Sequence, residues 1–510
     1  MKALLDALLV DIGGTLVDQA PSGTAVEDLE VHLRDGAIDD LIWAAKTVRL
    51  GAVTNTAVMD EAQVRQLLEP SGASKLLEVV VTSVDVGVEK PDPKPLLVAM
   101  ERLGLHEPSR ILYIGDQPDD EAAALAAGMH YVPIHGITGE SDHTLRHVIQ
   151  AWLERMAGHK FEEARARIRK SDIDAANAAL ALQQQLTKPP GSLGRLESLS
   201  VKLAAIAGEC PPPVPEPVTI AVFAGDHGVV DWGVSPWPQE VTAQMVANFA
   251  TGGAAINVLA RHAGADLVVV DVGVATPLPI TDHPSLVHRV VRPGTANLAA
   301  GAAMSRTDAL LALDVGVEIA ETAVANGARA LVTGEMGIGN TTSAAAIIAG
   351  ITNRTPQEVT GRGSGADDEM LARKVAVIEA AVTELTSTSG PLTLLEQVGG
   401  FEIAAMAGFI VGGAAASVPV IIDGMIANAA LLIATQLAPD AIDYVIAGHR
   451  STEPAAAAAL EFLGIEPVLD LDLRLGEGSG AALAVPIVQA AAKILREMAT
   501  FDSAGVTEKS

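Results

Sequence analysis

A single cysteine, Cys210, stands in a chain of 510 residues. It permits no intrachain disulfide and no cysteine cluster for a metal, so a reducing compartment, the cytoplasm, is expected. Aromatic residues make up only 3% of the chain although 49% is apolar, so the interior must be built from Ala, Val, Leu and Ile. Such small apolar residues suit helices layered closely on a sheet. Basic residues are outnumbered, 34 Lys and Arg against 63 Asp and Glu, a net charge of -29. That balance disfavours nonspecific attraction to DNA, RNA or anionic membranes, and an anionic substrate would need local donors instead. One stretch without charge, Ile403 to Ile422, is long enough to cross a bilayer, but its Gly and Ala content, Pro419 and the following Asp423-Gly424 predict a buried helix leading into a buried strand rather than a membrane span. No targeting segment is legible at the start, because Asp6 and Asp11 interrupt the apolar run of MKALLDALLVDIGGT, which reads as a first buried strand.

The length exceeds what one hydrophobic core usually serves, so at least two domains are expected. In the first, ALLVDI, LGAVTNT, LEVVVTS and RILYIGD read as strands separated by amphipathic stretches, a small doubly wound α/β unit. The charged run from His159 to Asp172 reads as a solvated linker helix, which gives boundaries of 1–158, 159–173 and 174–510. In the larger domain, strands are predicted at VTIAVFAGD, LVVVDVG, ARALVTG, VPVIIDG, DYVIAG and EPVLDLDL, with Ala-rich helices among them.

Asp11 ends the first predicted strand, at the sheet edge where ligands of open α/β sheets bind. Thr54, Lys90, Asp116 and Asp120 follow in order: a nucleophilic carboxylate, a hydroxyl and an ammonium for phosphate oxygens, and acids for Mg2+. Residues 5–135 thereby resemble the haloacid dehalogenase-like hydrolases, which implies those roles for Asp11, Thr54, Lys90 and Asp116, with Mg2+ held by Asp11, Asp116 and Asp120. The family's phosphatases carry a second Asp two positions after the nucleophile to protonate the leaving group, and here that position is Gly13. The stretch from Asp18 to Thr54 is also too short for the usual large cap. This domain therefore reads either as a Mg2+-dependent phosphatase or as an inert or regulatory remnant.

Two glycine loops dominate the second domain: Gly334-Glu335-Met336-Gly337-Ile338-Gly339-Asn340-Thr341-Thr342 and Gly476-Glu477-Gly478-Ser479-Gly480. Each lets backbone N–H groups approach a phosphate, and each holds a carboxylate suited to a proton or a cationic centre. Six further strings accompany them: Ala224-Gly225-Asp226-His227-Gly228, Gly233-Val234-Ser235-Pro236, Val241 to Val246, Gly294-Thr295-Ala296-Asn297, Thr360-Gly361-Arg362-Gly363-Ser364-Gly365 and Gly448-His449-Arg450-Ser451. Together, over residues 175–503, they resemble the nicotinate-nucleotide:dimethylbenzimidazole phosphoribosyltransferases, which move phosphoribose from nicotinate mononucleotide to 5,6-dimethylbenzimidazole. The resemblance implies a Rossmann-like parallel sheet with a small helical subdomain, a homodimer, Glu477 as general base and Glu335 as stabiliser of positive charge on the ribose. It also implies a base pocket of Ser235, Gln244 and Met245, with Leu475 and Gly478 as further substrate-binding residues. The phosphate is expected on Gly337, Gly339, Asn340, Thr341 and Thr342, with Lys374 as countercharge. Leu475 is expected to help desolvate Glu477. His227 and His449 lack metal-ligand spacing and read as scaffold, and no cofactor or metal is expected for the transfer. A chain whose main activity is the hydrolase, with a nucleotide-binding second domain, is the alternative.

Overall fold

A computed structural model describes residues 1–19, 29, 31–135, 144–363, 365–383, 385 and 390–507. Ser364, part of the stretch between Asp18 and Thr54, and the last residues of the polar C-terminus lie outside the described residues. The chain divides into two compact units, Met1–Met156 and Ala157–Ser510.

The first unit carries five parallel strands, β1 (Ala7–Val10), β2 (Arg49–Thr54), β3 (Val79–Thr82), β4 (Ile111–Gly115) and β5 (His130–Pro133), in the order β3-β2-β1-β4-β5. Strand side chains alternate between faces, and both faces here are apolar. Leu8, Val10, Leu112 and Ile114 join one core with Trp152, while Ala7, Leu9, Ile111 and Tyr113 join another. The four expected strands are present. The patterning did not mark β5, whose half-buried His130 and Tyr131 dilute the apolar signal.

The second unit holds six parallel strands: β6 (Val218–Gly225), β7 (Ala265–Gly273), β8 (Leu286–His288), β9 (Ala330–Met336), β10 (Val420–Ile422) and β11 (Val445–Ala447). Their order is β11-β10-β9-β6-β7-β8. The chain winds outward from β6 in one direction and from β9 in the other, so the switch point lies between β6 and β9. The helix Phe401–Ala415 is buried from Phe401 through Ala414 and leads into buried β10, as the uncharged stretch predicts. Among the described residues no helix is long and apolar enough to cross a membrane.

Two expectations need correction, and one strand was not expected. Residues 466–473 are not a strand: apart from one bridge between Leu469 and His449 they run as irregular chain, with Asp470, Leu471 and Asp472 exposed. Apolar alternation there marks a segment touching the sheet edge on one side only. The three-residue β8 escaped notice because it is too short to show a period. Residues 159–173 are not a free linker, since the helix His159–Arg167 buries Phe161 and Ala164 within the second unit. Asp314, from the helix Arg306–Ala325, accepts the N–H of Gly158 at 2.7 Å and of Phe161 at 2.8 Å, capping that helix from a distance. Lys160 reaches Glu318, one turn beyond Asp314 on the helix Arg306–Ala325, at 3.3 Å.

Candidate active site

Glu335 is the sixth residue of β9 and pairs in register with Phe223 of β6, so its carboxylate emerges beside the switch point of the larger sheet. It lines a cleft of about 800 Å3 together with Glu477, Asp423, His449 and Lys374. Asn340 donates its amide to Glu335 Oε2, and the N–H of Glu477 reaches Oε1 at 3.3 Å. Burial pushes Glu335 up to about 8, helped by the negative charges of Asp423 and Glu402. Below that pH the free site holds a proton there.

Glu477 sits in left-handed backbone, φ 63°, between Gly476 at φ 83° and Gly478 at φ 89°. Three such residues in succession turn the chain sharply into the helix Ser479–Glu497. The turn lies against β9 so closely that a Cβ at Gly334 would stand 2.6 Å from the Glu477 carbonyl oxygen, which accounts for the glycine in that strand. The Glu477 side chain is buried, and its Oε2 has no hydrogen-bond partner. Burial raises it to about 7, the Ile256 N–H opposes this, and the Asp423 charge adds to it. Leu475 does not supply the burial, because it is 56% exposed at the rim. The floor of the cleft does.

The second loop is not a phosphate cradle. Asp423, immediately after β10, accepts the N–H groups of Gly478 at 3.2 Å, Gly480 at 2.9 Å and Ala481 at 3.0 Å. The helix N-terminus that might attract an anion therefore already holds one from the protein itself. At the first loop, Ile338 donates to Thr242 Oγ1 at 3.1 Å and Asn340 to the Gly337 carbonyl at 3.1 Å. The helix Asn340–Thr352 begins at Gly339 with no side-chain cap. Beside it, Lys374 Nζ donates to Thr341 Oγ1 at 2.9 Å and to the Gly361 carbonyl at 3.1 Å. Burial lowers this lysine to about 8, with Glu453 opposing the shift. An ammonium that half dehydrated favours an anionic partner.

The structure brings Glu335, Glu477, Ser235, Met245, Gly337, Gly339, Asn340, Thr341, Lys374 and Leu475 to one cleft. Three expected residues are not among those that line it. Gln244 is exposed on the helix Glu240–Thr251, Thr342 is fully buried, and Gly478 turns its N–H inward to Asp423. The sequence reading missed Asp423, although it ends a predicted strand just as Asp11 does. His449 Nε2 stands 3.2 Å from Asp423 Oδ1, an ionic contact without hydrogen-bond alignment. A Cβ at Gly480 would collide with the His449 ring, so that glycine admits the histidine. His227 pairs with Glu402 at 2.7 Å, both buried. Burial works against the charged imidazole, but Glu402 outweighs it and His227 is raised.

In the first unit, Asp11 follows β1 and Asp116 follows β4, across the switch point of that sheet. Buried Lys90 Nζ contacts Asp11 Oδ1 at 2.8 Å, Asp120 Oδ1 at 2.6 Å and the Tyr113 hydroxyl at 2.7 Å. Burial raises Asp11 to about 6, while Lys90 pulls it back. Asp11, Asp116 and Asp120 offer oxygens within 4.8 Å of one another. Asp120 is already saturated, however, since its Oδ2 accepts the N–H groups of Asp116 at 3.1 Å and Gln117 at 3.0 Å. Asp11 and Asp116 thus fit a divalent cation, and Asp120 fits the role of holding Lys90. Thr54 is buried at the end of β2, and a Cβ at Gly13 would meet nothing within 4 Å.

Comparison with known proteins separates the units in the same way. Residues 168–506 match the phosphoribosyltransferase family model and residues 23–134 the haloacid dehalogenase-like hydrolase model. The latter match begins after Asp11 and Gly13. The nicotinate-nucleotide–dimethylbenzimidazole phosphoribosyltransferase of Salinispora tropica is 51% identical over 361 residues, 68% of this chain and 99% of that protein. Its counterpart in Chloroflexus aggregans is 55% identical over 339 residues, 66% of this chain and 95% of that protein. A crystal structure of the Thermus thermophilus enzyme of the same name shares 47% identity with a TM-score of 0.63, covering 66% of this chain and all of that one. Through its second unit, this chain belongs to the nicotinate-nucleotide–dimethylbenzimidazole phosphoribosyltransferase family.

Proposed function

We propose that the second unit transfers the phosphoribosyl group of nicotinate mononucleotide to 5,6-dimethylbenzimidazole, giving α-ribazole 5'-phosphate and nicotinate. The observation that carries this reading is a pair of buried carboxylates, Glu335 and Glu477, at the floor of one cleft with proton affinities raised to about 8 and about 7. The C1'–N bond breaks and nicotinate leaves with the electron pair, neutral at its ring nitrogen. One benzimidazole nitrogen bonds to C1' from the opposite face, which turns the β linkage into α. The other nitrogen gives its proton to Glu477, whose unpartnered Oε2 is free to accept it. Glu335 faces the ribose, where positive charge developing at C1' favours its ionised form. Lys374, Thr341 and the N-terminal end of the helix Asn340–Thr352, which no side chain caps, take the phosphate. Ser235 and Met245 border the base pocket.

Purified chain incubated with nicotinate mononucleotide and a panel of aromatic bases should release nicotinate and form the corresponding α-ribotide. Glu477→Gln should reduce that release by about 1,000-fold, within the range spanned by general base catalysis. Undiminished turnover in the variant would refute the role of Glu477.

For the first unit the arrangement of Asp11 and Asp116 supports Mg2+-dependent phosphate chemistry. There the ion would neutralise phosphate oxygens while Lys90 orients Asp11. A cytoplasmic homodimer is part of this proposal, and sedimentation of the full chain tests the assembly.

A further inference from the structure

Four acidic side chains, Glu335, Glu402, Asp423 and Glu477, lie buried at or beneath one cleft, and the reaction assigned above uses two of them. Asp423 is distinguished by what it holds. Both its oxygens are occupied by the backbone of the turn that carries Glu477: Oδ2 by Gly478, Oδ1 by Gly480 and Ala481. That turn is made of left-handed residues, Glu477 among them at φ 63°. A non-glycine residue persists there only when its surroundings fix it. Asp423 is itself fixed by short β10 and by its own N–H, which donates to Thr333 Oγ1 of β9 at 3.2 Å.

We propose that Asp423 is a positioning residue for the proton transfer: its carboxylate clamps the Glu477 turn to the end of β10 and supplies the negative field in which Glu477 exchanges its proton. This rests on the transferase reading above. The charged and titratable groups that line the cleft with Glu477 are Glu335 from β9, Asp423 after β10, His449 and Glu453 after β11, Arg362 and Lys374 from the segment after the helix Asn340–Thr352, and Asp472 and Arg474 just before the turn. The helix Ala255–Ala263, whose Ile256 N–H faces the carboxylate, carries Arg261 and His262 only in its last turn. Of these groups, Asp423 both touches the turn through three hydrogen bonds and raises Glu477 by its charge.

The test compares wild type, Asp423→Asn and Asp423→Glu in the full chain, following nicotinate release against pH. Removing the charge makes Glu477 easier to ionise, so in Asp423→Asn the acid limb of kcat/KM should move down by roughly 0.5–1 pH unit. Loosening of the turn should lower kcat by about 10- to 100-fold with KM for nicotinate mononucleotide changed less than about 3-fold. Asp423→Glu keeps the charge and misplaces the clamp, so kcat should fall while the acid limb stays. In wild type, amide exchange at Gly480 and Ala481 should be slow at pH 7, a readout that needs no variant to fold. Fast exchange there, or an acid limb unmoved in folded Asp423→Asn, overturns the inference alone. Wild-type protein that releases no nicotinate overturns the transferase reading and this inference with it.

Discussion

Two acid-lined sites in one chain are built on the same plan and tuned oppositely. Each places acids at the carboxyl edge of an all-parallel sheet, across the point where the strand order reverses. In the first unit a buried ammonium, Lys90, stands against Asp11 and Asp120, and Asp11 stays near 6 despite its burial. In the second, no Lys or Arg ion-pairs with Glu335 or Glu477 among the described residues, and burial, with neighbouring acids adding to it, raises them to about 8 and about 7. A carboxylate next to a fixed cation remains an anion at neutral pH, ready for a metal or an electrophile. A carboxylate buried without a cation, with other carboxylates beside it, becomes a proton carrier. The partner, more than the acid, sets the chemistry.

The sharpest way to break this comparison is to remove the cation. Lys90→Met leaves Asp11 and Asp120 buried without their partner, and the first unit should lose about 3–5 kcal/mol. Denaturant unfolding should show that loss, with nicotinate release by the second unit unchanged. Next in size is a gain: a Cβ at Gly13 would meet nothing within 4 Å, and Gly13→Asp should raise Mg2+-dependent phosphate release by about 100-fold if a missing general acid limits the first unit. No gain would mean that the site lacks more than its acid.

The pH dependence of stability sharpens the other side. Glu335 is raised in the folded state, so its contribution is fully present below the unfolded carboxylate range near 4.5 and is lost as pH rises through about 8. Wild type should therefore lose stability relative to Glu335→Gln by about 1–2 kcal/mol between roughly pH 6 and 7.5, at 1.36 kcal/mol per unit for one proton. Parallel curves would show that Glu335 is ionised throughout. The smallest effect is expected at the phosphate end, where Lys374→Met should raise KM for nicotinate mononucleotide by about 10-fold with little change in kcat, the mark of uniform binding.

Much of this was legible beforehand for physical reasons. Strands covered on both faces read as unbroken apolar runs, so β1, β6 and β9 stand out, as does the buried helix before β10. Acids that end such runs point to the ligand edge, which is how Asp11, Asp116 and Glu335 announce themselves. Elements that touch the sheet on one side only misled the reading: β5 carries His130 and Tyr131, and 466–473 alternates without pairing beyond one bridge. The helix 159–167 looked solvated because its charges outnumber its two buried anchors, Phe161 and Ala164.

By itself the sequence determined two α/β units, the carboxylates at their strand ends and the glycine turns that bring backbone close to a ligand. These follow from periodicity and backbone sterics, which are local. Only the tertiary structure decided which N–H groups remain open and which acids face a cation. Asp423 fills the second glycine turn from 55 residues away in sequence, measured to Gly478. Lys90 reaches Asp11 across 79. Hydrogen-bond saturation and charge pairing depend on distance in space, and a linear pattern carries no record of it.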